Sequence, residues 1–438
     1  MSIELVTLVM FGSLIVLLIL GVPLVFSMGG IAVGVIYWLY GAKGLLMIVQ
    51  NTFGQAWTEL YVAIPLFIFM GVLLERSGVA EALFESMHRW AGSMRGGLAI
   101  GTVGICAIFA AMTGVTATAT VTMGLIAVPA MLRRRYDKSL ALGTVAGAGT
   151  LGVLIPPSIY MILLGLIGRA SVGKMFIGGV FPGFLLAFMF AAYIAIRSFF
   201  QPDLAPAHAE KFTLREKIIS TRALILPMLI ILAVIGSIFL GIATPTEASS
   251  LGAVGVIIAA AIRRRLNWQV IKESTSTTFR ITGMCMWICF GAMCFSAVYT
   301  AAGAVIYFNE LLAGLEMSRW AILILLMVII FIMGMFLDPF AIVFIVAPMS
   351  FPLILAMGFD LTWYGILFVI NMMTGYITPP FGFNLFYLKA TVPPDITMGD
   401  IYRSIWPFLI IMILGMVLVM LFPNLVLWLP SVMMKVGG

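Results

Sequence analysis

The chain has 438 residues, of which 63% are hydrophobic and only 9% charged, with a mean hydropathy of +1.18. Soluble domains carry about 25% charged residues, so these figures exclude a soluble globular protein and imply an all-α polytopic membrane protein. The apolar runs are long and continuous, which excludes a β-barrel of short alternating segments. The net charge of +7 does not point to nucleic acid, because the basic residues cluster in short loops, as cytoplasmic loops of membrane proteins do. Cys106, Cys285, Cys289 and Cys294 all lie in apolar runs, so they read as small hydrophobes and no disulfide is expected.

A membrane span needs roughly 20 apolar residues. The first run, Ile3–Leu20, has no basic segment before it and reads as a true span, not a cleaved signal. A second span is expected at 24–40 after Gly21-Val22-Pro23, then a short amphipathic stretch to Gln55. The third is expected at 57–74, followed by a charged loop over Glu75–Gly96. The segment 97–132 is either two spans or a re-entrant hairpin. A broken helix at 139–167 and a span at 175–200 complete the first half. A hydrophilic loop at 201–222 is expected to be cytoplasmic and to join the halves. Spans at 223–240, 249–262 and 281–308 follow, then a second hairpin candidate at 320–357, a broken helix at 362–390 and a final span at 404–430.

The two halves share a pattern of interruptions. Pro129, Asp137 and Pro156-Pro157 recur as Pro352, Asp360 and Pro379-Pro380, with identical internal spacings and a constant offset of 223 residues. Paired interruptions in corresponding places point to the binding site of a secondary transporter, because irregular backbone survives in a bilayer only where it is buried or lines a cavity. Residues 1–200 and 223–438 therefore read as two repeats. Basic residues flank the first hairpin at both ends (Arg89 and Arg95; Arg133 to Arg135), which places its base inside. The second has no basic residue between Arg319 and Lys389, which places its base outside. The repeats are then inverted, with both termini outside. Arg169 and Lys174 fall in a segment that this topology puts outside, against the charge rule.

The double prolines remove backbone donors, freeing carbonyls around Gly152–Ile155 and Gly375–Thr378 that suit small hard cations. The N-terminal ends of the half-helices suit anions. Asp338, in G-M-F-L-D-P at 334–339, is the clearest acid within a membrane segment, and reads as functional or as the cap of the next helix. Asp137 and Asp360 read as helix caps, and Glu247 as a helix-start residue. Of Thr116, Thr118, Thr120 and Thr122, only the one nearest the first tip, together with Thr113, is expected at a site, since hydroxyl residues generally serve helix packing in membranes. His88 and His208 belong to no metal motif, and the 31 methionines are packing residues.

These features together resemble the large membrane subunit of tripartite ATP-independent periplasmic (TRAP) transporters. The matching stretches are A-I-P-L-F-I-F-M-G at 63–71, T-G-V-T-A-T-A-T at 113–120, Y-D-K at 136–138, L-I-P-P-S at 154–158, T-P-T-E-A at 244–248, F-L-D at 336–338 and I-T-P-P-F-G-F-N-L-F at 377–386. The resemblance implies an elevator-type, sodium-driven symporter of organic acids in the bacterial inner membrane. It implies a small four-helix membrane subunit, here a separate chain, and a periplasmic substrate-binding protein as partners. Sodium would be the coupling ion, with no organic cofactor and no nucleotide site.

Carried over residue by residue, the family's first sodium site would use Thr113, Val115, Gly152, Ile155 and Pro157. The second would use Phe336, Asp338, Gly375, Thr378 and Pro380. The offset of 223 converts one set into the other. Gly114, Thr116, Ser158 and Asn384, beside the breaks, are the candidate substrate contacts. The first tip reads T-G-V where the family is often serine-rich. A stand-alone sodium/dicarboxylate-type symporter is the alternative. An intramembrane aspartyl protease would need two facing carboxylates, and only Asp338 is suitably placed. A non-transporting structural subunit would not need two ion-type breaks.

Overall fold

The computed structural model describes residues 2–91, 94–114, 116–207, 212–304, 307 and 317–436, and among these all regular structure is helical. Helices α1 (Ile3–Ile19), α2 (Leu24–Ala56), α3 (Ala63–Arg76) and α4 (Val79–Ala91) lead to a hairpin of α5 (Gly97–Thr113) and α6 (Thr116–Arg133). The first broken helix is α7 (Lys138–Gly149) and α8 (Ile159–Gly168), followed by α9 (Val172–Phe200). Then come α10 (Leu214–Phe239), α11 (Pro245–Ile262) and α12 (Trp268–Ala301). A second hairpin, α13 (Arg319–Phe336) and α14 (Pro339–Ala356), precedes the second broken helix, α15 (Leu361–Gly375) and α16 (Phe383–Lys389). The described chain closes with α17 (Met398–Ser404), α18 (Trp406–Leu421) and α19 (Asn424–Val436). Eight of these helices are individually long and apolar enough to cross a membrane.

The broken helices are the core. Every residue of α7 from Leu140 to Gly149 is buried, as is every residue of α15 from Thr362 to Gly375. A helix apolar all round has to be enclosed by others, and these two are. By contrast α10 buries only Pro227, Ile230, Val234 and Ile238, and exposes Leu229 and Leu232. Its outward side needs lipid or a membrane partner, not water. Helix α2 packs along α12, while α3 packs on α11 and α12, forming a second group beside the hairpin-bearing one.

Contacts between the broken helices set their directions. First half α7 touches second half α16, and α8 touches α15, so the two run antiparallel. The arms α5 and α6 pack on α7, and α14 packs on α8 and α15. Each hairpin base lies beside the start of its own broken helix, at Asp137 and Asp360. The two hairpins therefore enter from opposite ends, and their tips meet the breaks midway. Basic residues mark one end. Arg134 meets His88 of α4 at 2.8 Å, Lys138 pairs with Asp400 at 2.9 Å, and the Arg263 guanidinium reaches the Gly78 and Ala223 carbonyls. Arg76 pairs with Glu273 at the same end. By the charge rule this is the end expected to face the cytoplasm. The opposite end carries an aromatic cluster of Trp320, Phe359 and Trp363, as membrane interfaces do.

Three expectations are corrected. The charged segment 75–96 is not a loop throughout: Val79–Ala91 is a helix that buries Val79, Ala80, Leu83, Ser86 and His88 and pairs Glu85 with Arg89 four residues on. Likewise 201–222 is not all loop, because a capping box of Thr213 and Glu216 starts α10 at Leu214. Helix α12 starts at Trp268, capped by Asn267, well before residue 281. In each case apolar counting locates the membrane-embedded part of a helix, whereas caps and i,i+4 pairs extend helices into the polar zone. The expected final span at 404–430 is divided between α18 and α19, and α17 meets α18 at a 41° bend where that span begins. Gly41, at φ +64, kinks α2 just past the expected end of the second span at residue 40.

Candidate functional site at the two helix breaks

The first site forms where the tip of α5 and α6 meets the break of α7. Gly114 caps α5 in the left-handed region, φ +62, which glycine adopts without a Cβ penalty. Its missing side chain also matters for packing: a Cβ here would stand 2.6 Å from the Pro157 carbonyl oxygen and 3.4 Å from Ser158 Cα. The tip is thus pressed onto the double proline. Thr113, fully inside, donates from Oγ1 to the Phe109 carbonyl at 2.9 Å. Gly71 of α3 backs it, since a Cβ there would be 2.8 Å from Thr113 Cα. Val115 lies outside the described residues.

After Gly149 the chain tightens into a 3-10 turn, Thr150–Val153, in which the Leu151 carbonyl accepts from both Leu154 and Ile155. Pro156 and Pro157 carry no N–H, so the Gly152 and Val153 carbonyls lose their helical donors. The Pro156-Pro157 peptide is cis, as is Pro379-Pro380. Gly152 and Ile155 are buried at this turn. Helix α8 then starts at Ile159 with Ser158 as N-cap residue but with no side-chain cap bond. Asp137, Asp338 and Asp360 do cap α7, α14 and α15 with their carboxylates. The α8 N-terminus therefore carries no side-chain cap, and a helix N-terminus is a ready position for an anion.

Four buried polar atoms around this point make no hydrogen bond among the described residues: Thr116 Oγ1, Thr120 Oγ1, Ser158 Oγ and Asn384 Oδ1. They come from α6, the first break and α16. Thr120 packs against Gly149, and Asn384 donates from Nδ2 to the Ala146 carbonyl at 2.8 Å. Buried polar atoms normally find partners, so a cluster of open ones marks a place for a polar ligand. Gly114, Thr116, Ser158 and Asn384 are substrate candidates from the sequence; Thr120 is not. Its spacing of four residues from Thr116 was the available signal, since i and i+4 share a helical face. Gly71 was visible only as part of a motif.

The second break differs in its chemistry. Asp338 Oδ1 accepts from the Phe340 N–H at 2.8 Å, so the cap reading holds. Tyr160, Tyr376, Tyr387 and Cys285 lie within electrostatic range of the carboxylate. The Tyr160 ring packs on Phe340 with centroids 4.8 Å apart. No local pattern marks these tyrosines, because Tyr160 is far in sequence from Tyr376 and Tyr387. Gly334 and Gly375 bring α13 and α15 into backbone contact: a Cβ on Gly375 would stand 2.7 Å from Gly334 Cα. Thr378 donates from Oγ1 to the Thr374 carbonyl at 2.8 Å, and the Gly375 carbonyl accepts from the Thr378 N–H at 2.9 Å. Phe336 is about half exposed (49%), with its ring beside Phe381. Pro380 is exposed, and its carbonyl accepts from Tyr402 Oη at 2.7 Å. Among the described residues no cluster of three or more His, Cys, Asp or Glu could hold a transition metal. Glu247 closes a capping box with Thr244 at the start of α11, a purely local role.

The profile of the family described as "Tripartite ATP-independent periplasmic transporter, DctM component" matches residues 11–425. This chain belongs to that family. It is 34% identical over 373 residues to the C4-dicarboxylate TRAP transporter large permease protein DctM of Pseudomonas aeruginosa, covering 84% of this chain and 86% of the relative. It is 28% identical to the ectoine TRAP large permease TeaC of Halomonas elongata, covering 97% and 98%. It is 30% identical to the isethionate TRAP permease DctMQ of Oleidesulfovibrio alaskensis, covering 86% of this chain and 59% of the relative. The fold is shared with the Alcanivorax borkumensis YdaH transporter, with a TM-score of 0.65 at 16% identity, covering 88% and 90%. The chain is thus a multi-pass TRAP large permease subunit that works with a periplasmic binding protein.

Proposed function

We propose that this TRAP permease is the sodium-coupled, elevator-type transporting subunit for a small organic acid in the bacterial inner membrane. The observation that supports this best is the meeting of two opposed hairpin tips with two proline breaks in a buried core. The two breaks divide the work by charge. The first offers an uncapped helix N-terminus, open hydroxyls and the Asn384 amide, with no carboxylate among the residues named there. That suits the acid group of a substrate. Relatives transport C4-dicarboxylates, ectoine or isethionate according to their names, and all of these carry an acid group.

The oxygen donors at the breaks suit sodium as a hard cation. They are the Gly152 carbonyl, freed by Pro156, and at the second break the Asp338 carboxylate with the Thr378 hydroxyl, whose lone pairs stay open while it donates. The other site residues carried over from the family, including Thr113, Ile155 and Phe336, would shape these sites. Sodium bound beside Asp338 would neutralise it and tie the tip to the break. A hairpin held by its ion closes over the substrate, and the antiparallel repeats supply equivalent arrangements facing each side. The small membrane subunit covers the exposed apolar faces in this reading, and the binding protein delivers the acid.

The test is uptake in proteoliposomes containing this chain, its small subunit and its binding protein, with radiolabelled succinate, ectoine, isethionate and sialic acid. At least one substrate should enter only with an inward sodium gradient and only with the binding protein. Equal uptake without sodium, or by this chain alone, would sink the reading.

A further inference from the structure

A cavity of about 310 Å³ lies between the α2–α12 group and the hairpin-bearing group. Its walls include Asn51 of α2, Ser296 and Thr300 of α12, and Phe344 and Pro348 of α14, with Arg169 at the end of α8. The α7–α8 unit starts at the basic, cytoplasmic end beside Lys138, so Arg169, after its last turn, lies at the outer end. Phe344 is six residues beyond Asp338 on α14, about 9 Å along the helix axis. The cavity thus spans from the outer face towards the second tip.

Arg169 is exposed and forms no ion pair among the described residues. Its backbone is left-handed, φ +51, where glycine or asparagine is the favoured C-cap. A cation suits any helix C-terminus, and Arg135 and Arg264 share this conformation at the basic end. Arg169 differs in two ways. It breaks the charge rule by standing outside, and it opens on a recess lined by the Asn51 amide and the hydroxyl residues Tyr61, Ser296 and Thr300. A free guanidinium pairs strongly with a carboxylate or sulfonate.

We propose that this cavity is an outer vestibule that collects the acid group of the substrate on Arg169 before it reaches the helix breaks. The recess accepts a small anion released from the binding protein, and a wall built from α14 couples it to movement of the second hairpin. The inference rests on the transport reading for its role in the cycle.

The test reads the local charge without any transport. In right-side-out membrane vesicles, the native cysteines are changed to alanine and Ser296→Cys is introduced. Labelling rates are compared for anionic sulfonatoethyl methanethiosulfonate and cationic trimethylammonioethyl methanethiosulfonate. Arg169→Asn keeps the left-handed backbone and should lower the anion-to-cation rate ratio by roughly threefold or more, whereas Arg169→Lys should retain most of it. An unchanged ratio in Arg169→Asn, or equal loss in both variants, overturns the proposal. So does absence of labelling from the outer face. Loss of binding-protein-dependent uptake with an unchanged ratio would instead assign Arg169 to protein docking. If uptake proves sodium-independent while the ratio responds, the vestibule stands and the coupling reading falls.

Discussion

Asn384 donates a hydrogen bond of 2.8 Å to the carbonyl of Ala146, and so ties the second broken helix to the first across 238 residues of sequence. Both residues are fully buried. Gly149, three residues on from Ala146, packs against Thr120, and the same side chain that locks the repeats together leaves its Oδ1 without a partner among the described residues.

Asn384→Ala should therefore cost both stability and uptake. Leaving the Ala146 carbonyl without its donor should cost about 1–3 kcal/mol, visible as a lowered thermal midpoint in detergent. Substrate half-saturation should rise as well. A variant as stable and as active as the parent would remove Asn384 from both roles.

Asp338→Asn should leave the fold intact, because asparagine also caps helices well. Half-saturation for sodium in proteoliposome uptake should rise at least about tenfold, equivalent to about 1.4 kcal/mol of ion binding. An unchanged sodium dependence and Hill coefficient would leave Asp338 as a helix cap alone.

Gly114→Ala should impair the first tip for two reasons, the left-handed backbone and the Cβ 2.6 Å from the Pro157 carbonyl. Since the obstacle is backbone, it cannot swing aside, and overpacking of this kind costs about 1–3 kcal/mol. The expected readout is loss of uptake with expression largely retained. Gly12→Ala, where a Cβ meets nothing within 4 Å, is the control.

Thr116→Val and Thr120→Val should each raise substrate half-saturation several-fold, whereas Thr118→Val, at a half-buried position off that face, should not. Uptake titrated with binding-protein-delivered substrate decides this. Equal effects at all three positions would indicate helix packing and no ligand contact.

Opposed hairpin bases predict opposed accessibility. In a cysteine-free background, Arg135→Cys should react with an impermeant reagent only from the cytoplasmic side and Arg319→Cys only from the outer side. Reaction of both from one side would refute the inverted arrangement.

Much of this protein is legible in the chain itself. Low charge and long apolar runs determine a helical membrane protein, since only backbone that satisfies its own hydrogen bonds crosses lipid. The repeated Pro129, Asp137, Pro156-Pro157 pattern marks the two breaks, because proline removes a donor wherever it stands. Asp137, Asp338 and Asp360 are readable as caps for the same local reason. Helix ends in polar segments, such as Val79–Ala91 and Leu214–Ser220, escape a hydropathy count because their signal lies in caps and i,i+4 pairs. Only the tertiary structure decided which residues meet. Gly71 against Thr113, Gly334 against Gly375, Tyr160 near Asp338 and Arg169 above an outer cavity are contacts between segments far apart in sequence. They depend on how closely two backbones approach, which no local pattern of residues records.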